Sequence, residues 1–236
     1  MRLSDGTRLK PKSQVRYLGC YLNDQADSGR ELQKRIAESM AVLKKLDLFW
    51  RHGDSSIKQK ILVYNAVVKS KLLYGLESMQ LTAGARNKLD VFHLKGLRKI
   101  LKMETTFVNK ENTNEAVYQR ANDAVRSDSP HTVYIPIQKM STDYDKARLK
   151  LFAKLCLAPE TDPRVSVTFE SGVKPHDYGK KRVGRPRLNW IKETTTLFWN
   201  QVVKTKNPSL WLGDLDLDNT THIQLILGAA EEVVCS

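Results

Sequence analysis

No run of apolar residues in this 236-residue chain approaches the roughly 18 that a membrane-spanning helix needs. The N-terminus also lacks the apolar core of a secretory signal peptide, and the early Asp5 argues against an organellar transit peptide. Cysteine is scarce and odd in number, with Cys20, Cys156 and Cys235 scattered along the chain. These absences favour an intracellular protein, nuclear or cytoplasmic, with buried thiols rather than a disulfide framework.

Residues that carry catalysis or hold metals are equally scarce. The five histidines are far apart, and no Cys-x-x-Cys or His-x-x-x-His pair offers a zinc site. Walker-type loops and the Gly-x-Ser-x-Gly motif are absent. No Asp-Asp pair occurs, so the carboxylates that hold the metal ions of a polymerase are missing. The sequence therefore predicts no cofactor, no metal and no catalytic activity in this chain alone.

Two acidic clusters come nearest to a metal site. Asp143-Tyr144-Asp145 precedes a predicted helix, where acidic residues act as caps. The run from Asp214 to Asp218 resembles the start of a calcium loop, but Asn219 replaces the required glycine and Leu225 the closing glutamate. We expect neither cluster to bind a metal.

The net charge of +13 is concentrated in blocks. Residues 1–103 hold 21 Lys and Arg against 9 Asp and Glu, a net charge of +12, and residues 179–206 hold 8 against 1, a net charge of +7. Residues 104–178 are nearly neutral, and residues 207–236 hold five acidic residues and no Lys or Arg. Basic blocks attract polyanions by releasing counterions, largely independently of base sequence. This distribution predicts nucleic-acid binding; a solvated surface that keeps the chain soluble is the alternative.

The apolar periodicity predicts a mainly α-helical fold. Residues 13–23 alternate as one strand bent at Gly19, and the Asp5-Gly6 turn predicts a short hairpin before it. Three helices follow, which we expect to form an antiparallel bundle. Ser56 and Gln59 have capping-box spacing at the start of the second helix, and Thr82 precedes the third. The predicted core positions of the three helices are Leu32, Ile36, Met40 and Leu43; Ile57, Ile61, Val68 and Leu72; and Leu89, Phe92, Leu97, Ile100 and Leu101.

The second half of the chain is less regular. Residues 158–186 are rich in proline and glycine and are predicted to be mostly loop. The helix boundaries predicted here are a cap at Asn112 or Thr113 for a helix to about Val125, a start after Ser141, a start at Pro186 for the helix containing Trp190, and a cap at Asn219 for a final helix to Val234. The predicted segments are the β-element and bundle (residues 1–103), a smaller irregular helical domain (104–206) and an acidic, apolar helical tail (207–236).

Four short fragments occur in a fixed order: Tyr17-Leu18-Gly19, Leu73-Tyr74-Gly75-Leu76-Glu77, Thr113-Asn114-Glu115 and Gly184-Arg185-Pro186-Arg187-Leu188-Asn189-Trp190. At these spacings they resemble the region downstream of the palm in reverse transcriptases of non-LTR (LINE-type) retrotransposons, over roughly residues 10–205. Departures from that family's pattern are the absent Asp-Asp turn and Cys-Cys-His-Cys knuckle, Met79 in place of a Trp, and residues 151–156 without the usual Gly and His. The resemblance implies a fragment or a domesticated remnant that lacks the polymerase active site.

The resemblance also implies which residues contact nucleic acid. In that family the helices after Tyr-Leu-Gly form a thumb that grips the template–primer backbone. The cations that match this arrangement, not all of which can share one face, are Lys34, Arg35, Lys44, Lys45, Lys58, Lys60, Lys69 and Lys71. Arg98, Lys99 and Lys102 extend the basic character onto the third helix.

A second basic cluster lies just before Trp190, with five cations in the nine residues 179–187. They are Lys180, Lys181, Arg182, Arg185 and Arg187. Lys and Arg side chains contact successive phosphates, and the amides at a helix N-terminus add to such a site. The Gly-Arg-Pro step is also the core of the AT-hook, although Val183 stands where that motif has another arginine.

Together these patterns predict non-catalytic binding of RNA, RNA–DNA hybrid or DNA through backbone phosphates. A structural subunit that docks onto a ribonucleoprotein or protein complex is the alternative. That reading expects an exposed apolar patch around Trp199, Trp211 and the final helix, in the C-terminal tail. A third reading, a piece of an active polymerase, requires a palm encoded upstream of Met1.

Overall fold

The computed structural model describes residues 14–17, 20–23, 28–126, 136–176, 189–208, 210 and 212–235. Over these residues the fold is mainly α-helical, as predicted from the sequence. None of the helices in these ranges has the length and apolar character needed to cross a bilayer. The chain divides into two compact units, the first from Met1–Gly75 and Leu81–Ile137 and the second from Leu76–Gln80 and Gln138–Ser236.

The first unit combines a β-hairpin with a helical bundle. The strands β1 (Gln14–Tyr17) and β2 (Cys20–Asn23) pair antiparallel, with Val15 opposite Leu22. A π-helical segment, Tyr64–Lys69, joins α3 to α4. The helices are α1 (Ser28–Lys45), α2 (Asp47–His52), α3 (Ile57–Val63), α4 (Ser70–Leu73), α5 (Ala83–Leu101) and α6 (Asn114–Val125).

The single bent strand predicted for residues 13–23 is wrong. The segment forms two strands, because β1 and β2 pair through backbone hydrogen bonds. One isolated strand would leave these N–H and C=O groups without a partner in the protein. The hairpin predicted around Asp5-Gly6 lies outside the described residues.

Local capping signals set the helix starts as predicted. The Ser56 Oγ accepts a hydrogen bond from the Gln59 amide at 3.3 Å, and the Gln59 Oε1 accepts one from the Ser56 amide at 3.1 Å. Thr82 caps α5 and Thr113 caps α6 in the same way, each through its side-chain oxygen. These boundaries need no tertiary information, because donor and acceptor lie within three residues.

The core of the first unit follows most of the predicted periodicity, but Ile36, Met40 and Leu101 are only half-buried and Ile57 is exposed. Its fully buried side chains include Leu32, Leu43, Trp50, Ile61, Tyr64, Val68, Leu72, Leu89, Leu97 and Ile100. Ile57 is 42% exposed, because Lys60 and Ile61 take the buried positions in the first turn of α3. The prediction that Ile57 lies in the core is wrong.

Helix α6 belongs to the first unit, so the division falls after Ile137 rather than after residue 103. Val117 and Ala121 are fully buried where α6 packs on α3 and α5. The Asn122 side chain holds the chain beyond α6, donating to the Ile137 carbonyl at 3.0 Å and accepting from the Ile137 amide at 2.6 Å.

The second unit is built on one long helix. A short 3-10 turn, Leu76–Ser78, and a π-helical segment, Trp199–Val203, belong to it. Its other elements are α7 (Met140–Cys156), α8 (Pro163–Thr168), β3 (Phe169–Ser171), β4 (Lys174–Pro175), α9 (Trp190–Phe198), α10 (Lys204–Lys206) and α11 (Thr220–Cys235). Phe152 of α7 is central to the core, with ring centroids 5.1 Å from Phe198 and 6.2 Å from Phe169.

Part of the predicted loop 158–186 is ordered secondary structure. Asp162 caps α8 by accepting the Arg164 amide at 2.8 Å, and Pro163 takes the first helical position, where its missing N–H costs nothing. Gly172, at φ 55°, lies in the turn that lets β3 and β4 pair. The loop prediction therefore fails over α8 and this hairpin.

The remaining helix starts of the second unit give two corrections and one confirmation. Helix α7 begins at Met140, so Ser141, predicted to precede it, is its second residue. The helix containing Trp190 begins at Trp190 rather than at Pro186, because the Asn189 side chain accepts the amides of Ile191 and Lys192. Asn219 caps α11 as predicted, through the Thr221 amide. Helix α11 is no separate tail, since it packs on α7 and buries Ile226 and Ala230 in the core of the second unit.

Candidate nucleic-acid interface

Helix α5 is buried on most of its circumference and exposes one narrow stripe. Leu89, Phe92, His93 and Leu97 are among its buried residues. The exposed positions along the opposite stripe are Gly84, Asn87, Lys88, Val91, Lys95 and the C-cap Lys102. At 1.5 Å per residue, lysines seven positions apart have Cα atoms about 10 Å apart on nearly the same line. Lys88, Lys95 and Lys102 therefore lie nearly in line along the exposed side of α5.

The C-terminal end of α1 lies beside the C-terminal end of α5. Lys99, next to the stripe, forms an ion pair with Asp47 at the start of α2, and Arg51 pairs with the same carboxylate at 3.1 Å. The hydrogen bond from Lys99, and then the charges of Lys99 and Arg51, lower the pKa of Asp47. Two exposed lysines, Lys44 and Lys45, precede this ion-pair cluster. We call Lys88, Lys95, Lys102, Lys44 and Lys45 the lysine face.

Sequence reasoning identified only part of this face. Lys44, Lys45 and Lys102 were predicted, whereas Lys88 and Lys95 were missed. The available signal was the spacing of seven from Lys88 to Lys95 to Lys102, which keeps lysines on one side of a helix. Lys34, Lys58 and Lys69 are half-buried, and Lys71 lies 3.8 Å from the Glu38 carboxylate.

Arg35 lies in the interior of the first unit, so it is not part of the candidate interface as predicted. Its side chain is 7% exposed, and its Nε donates to the Glu31 carboxylate at 2.8 Å. Its Nη2 donates to the Cys20 Sγ at 3.1 Å, and the guanidinium lies 5.0 Å from the centre of the Tyr74 ring. A long cation buried and satisfied in this way is structural, because its hydrogen bonds are made within the protein.

Lys60, which was also predicted to contact nucleic acid, is likewise excluded from the interface by its burial. It is 5% exposed, and its Nζ donates to the Trp50 carbonyl at 3.1 Å. Arg98 is also committed to the protein, since its Nη2 donates to the Asn112 carbonyl at 3.2 Å and to the Asn114 Oδ1 at 2.9 Å. Both cations hold neighbouring segments of the first unit together.

The basic cluster at residues 180–187 lies outside the described residues, and so does the AT-hook fragment within it. The structure describes Trp190, three residues after the end of the cluster. The Trp190 Nε1 donates to the Glu77 carbonyl at 2.9 Å, and the ring lies 5.8 Å from the Arg148 guanidinium. Arg148 is fully buried, with its Nε 2.6 Å from the Thr194 Oγ1, and burial lowers its pKa. Trp190 is thus a packing residue of the second unit.

The Leu-Tyr-Gly-x-Glu fragment makes contacts in both units, one of them with Trp190 of another fragment that carries the family resemblance. In the first unit, Gly75 lies so close to Cys20 that a Cβ at this position would come within 2.6 Å of the thiol, and its φ of 75° also favours glycine. In the second unit, Glu77 accepts from Trp190, and Met79 accepts from the Tyr144 hydroxyl at 2.5 Å. Gly75 and the Glu77 carbonyl are thus packed within the fold, whereas Tyr74 of the same fragment is 54% exposed.

The buried polar residues form no metal site among the described residues, where no group of three His, Cys, Asp or Glu side chains lies together. His93 is 1% exposed, and its Nδ1 lies 3.1 Å from the Tyr64 hydroxyl. Burial raises the pKa of Tyr64 well above its usual range. Gly96 packs directly on the Tyr64 ring, so this pair is a tightly packed part of the core.

Comparison with known proteins returns no match: no family model, no curated protein and no solved structure resembles this chain significantly. The resemblance to LINE-type reverse transcriptases therefore stays a prediction.

Proposed function

We propose that this chain binds nucleic acid through backbone phosphates, without catalysis, and that the lysine face is its principal contact in the first unit. The observation that carries the proposal is the stripe of Lys88, Lys95 and Lys102 on a helix that is otherwise largely buried. The proposal implies a protein of the nucleus or cytoplasm. It also keeps the origin predicted above, a reverse-transcriptase fragment or domesticated remnant.

The stripe differs from an ordinary solvated helix surface. Helices usually offset surface charge with a residue of opposite sign three or four positions away. Neither Lys88 nor Lys95 has an acidic residue at these spacings, and Lys95 instead has Lys99 four positions later. Like charges at that spacing destabilise a helix by about 0.2–0.5 kcal/mol. A polyanion that binds the face would relieve this repulsion.

Phosphate binding suits these lysines better than recognition of bases. Lysine is a flexible point charge, and its contacts position a nucleic acid without reading its sequence. Each phosphate that is neutralised adds about 0.9 to the slope of log K against log salt for duplex DNA, and about 0.7 for single strands. We therefore expect binding that depends steeply on salt and weakly on base sequence.

The alternative of a docking subunit expects an exposed apolar patch at Trp199 and the final helix. Trp199 is instead 1% exposed, its Nε1 donates to the Gly213 carbonyl at 3.1 Å, and α11 packs on α7. Trp211 lies outside the described residues. The described residues of the tail thus offer this alternative no support.

The test is fluorescence anisotropy of the purified chain with labelled single-stranded RNA, RNA–DNA hybrid and duplex DNA, each across a salt series. We expect binding at about 50 mM salt that weakens steeply by about 200 mM, with similar affinities for unrelated base sequences. Absence of binding to all three probes at the lower salt would overturn the proposal. Reversal of charge at Lys180, Lys181 and Arg182 measures the share of the second basic cluster separately.

A further inference from the structure

The loop between α5 and α6 presents an aromatic side chain almost completely to solvent. Phe107 is 96% exposed, and Val108 beside it is 66% exposed. A single exposed apolar residue is common on protein surfaces. A phenylalanine at the tip of a loop that is held in place by its own hydrogen bonds is more unusual, because the loop then holds the exposed ring in a defined position.

The loop is held by backbone and side-chain hydrogen bonds. The Thr105 carbonyl accepts the amides of Val108 and Asn109 at 3.0 Å, which forms the turn around Phe107. The Asn109 Oδ1 accepts the Glu111 amide at 2.9 Å. A loop bonded in this way fixes the position of Phe107, so ordering the loop on binding costs little entropy.

The C-terminal half of the loop is tied back to its start and to α5. The Asn112 side chain donates to the Glu104 carbonyl at 3.1 Å. Arg98 of α5 donates to the Asn112 carbonyl and to the Asn114 side chain. The Phe107 loop, which we define as residues 103–113, is therefore anchored to the helix that carries the lysine face.

The lysine face leads directly into the Phe107 loop. Lys102, its last member, caps α5 in the left-handed conformation at φ 54° and ψ 36°, a region that glycine usually occupies at helix ends. A side chain there costs about 1 kcal/mol. A lysine at this position keeps a cation between the stripe and the loop, and Lys110 is exposed on the other side of Phe107. Glu104 and Glu111 are exposed as well, so the loop itself carries a net charge of −1 and the positive charge comes from the lysine face.

A polar cleft adjoins the Phe107 loop, and the side chains that line it indicate which chemical groups could bind beside Phe107. The cleft, of about 370 Å³, is lined by Asn109 and Glu111 of the loop and by Gln119, Arg120 and Asp123 of α6. Its amide, guanidinium and carboxylate groups suit the polar edges of a heteroaromatic ring better than the aliphatic side chain of a protein partner. Lysines that contact the backbone beside an exposed aromatic ring are the combination that proteins use to bind single-stranded nucleic acids.

We propose that Phe107 stacks on an unpaired base of the nucleic acid whose phosphates contact the lysine face, so that this chain prefers single-stranded segments to duplex. The proposal rests on the proposed function. It assigns a base-binding role to a residue with no charge, which the basic composition of the chain does not predict. Stacking of this kind tolerates any base, because every base has a π-face.

The test compares Phe107→Ala, Phe107→Trp and the control Val108→Ala by anisotropy with single-stranded RNA, with the same oligomer carrying abasic sites, and with duplex. We expect Phe107→Ala to weaken binding to the intact single strand by about 5- to 150-fold, with an unchanged salt slope. Phe107→Trp should retain tight binding. Val108→Ala should change little on any probe, and none of these variants should alter binding to the abasic strand or the duplex by more than about twofold. Because Phe107 is exposed, the substitutions do not endanger folding.

The outcomes separate the two proposals. If the unmodified chain binds none of the probes, the proposed function fails and the base-binding role fails with it. If the unmodified chain binds with a steep salt slope and Phe107→Ala binds the intact strand equally well, only the base-binding role is overturned. An equal loss on the abasic and the intact strand would overturn it too, because a stacking contact requires the base.

Discussion

Two glycines in α5 should respond to the same substitution with opposite signs. A Cβ built at Gly96 would lie 2.6 Å from the Tyr64 Cε2 and 2.9 Å from its hydroxyl, whereas a Cβ at Gly84 would meet nothing within 4 Å. Both lie in a helix, where Gly→Ala contributes about 1 kcal/mol of stability when there is room. The fully buried Tyr64 ring cannot move aside at Gly96, and overpacking costs about 1–3 kcal/mol.

We therefore expect Gly84→Ala to stabilise the first unit by about 0.5–1 kcal/mol. Gly96→Ala should destabilise it by about 1–2 kcal/mol, the overpacking cost less part of the helical gain. Native-state hydrogen exchange of peptides from α5 measures both changes in the unit that contains the helix, and about 1.4 kcal/mol corresponds to a tenfold loss of protection. A Gly96→Ala variant as well protected as Gly84→Ala would refute the packing between α5 and Tyr64.

Three further substitutions or reagents test other parts of the structure. Arg35→Met should destabilise the first unit by about 3 kcal/mol in urea unfolding, because it removes the ion-pair partner of the buried Glu31 carboxylate. Adding Glu31→Leu should recover most of the lost stability. An unchanged unfolding midpoint for the single variant would contradict the buried ion pair. Burial raises the pKa of the Cys156 thiol to about 12, so at pH 8 iodoacetamide should modify the half-buried Cys156 much more slowly than the exposed Cys235. Peptide mass spectrometry of the native chain measures both rates, and equal rates would contradict the raised pKa. Trp190→Phe should destabilise the second unit by about 1 kcal/mol, because it removes the indole hydrogen bond to the segment Leu76–Gln80. Hydrogen exchange of that segment measures the loss, and unchanged protection there would argue against the contact.

Features that depend on a few neighbouring residues were predictable from the sequence. The capping residues Ser56, Thr82, Thr113 and Asn219 were found because their hydrogen bonds lie within two or three residues of each helix start. The core positions of α5 followed from helical periodicity, since that helix is long and regular.

Features that depend on distant contacts were not predictable. Arg35 and Lys60 looked like surface cations, because nothing in their neighbourhood reveals that Cys20 and the Trp50 carbonyl supply partners in the interior. The assignment of Leu76–Gln80 to the second unit depends on hydrogen bonds to Tyr144 and Trp190, which are far away in sequence. Charge alone therefore overestimates a binding surface unless burial is known.

The lysine stripe lies between these cases. Its spacing of seven was visible in the sequence, but periodicity also allows such lysines to flank a helix that is exposed all round. The structure adds that α5 is buried elsewhere, so the stripe is the part of that helix open to a ligand. Phe107 could not have been identified from composition, because only its exposure and the hydrogen bonds of its loop distinguish it from a core phenylalanine.

The most direct test of the central claim is the salt dependence of nucleic-acid binding after the stripe is neutralised. The variant carries Lys88→Gln, Lys95→Gln and Lys102→Gln, which remove three charges from exposed positions without adding acidic groups.

A matched control removes the same charge from the second unit. Lys146, Lys150 and Lys154 are exposed on one side of α7, so Lys146→Gln, Lys150→Gln and Lys154→Gln change the net charge equally. We predict that the slope of log K against log salt falls in magnitude by about 2–3 in the stripe variant. In the control it should change by less than about 0.5. Equal reductions in the two variants, or an unchanged slope in the stripe variant, would contradict the assignment of the lysine face.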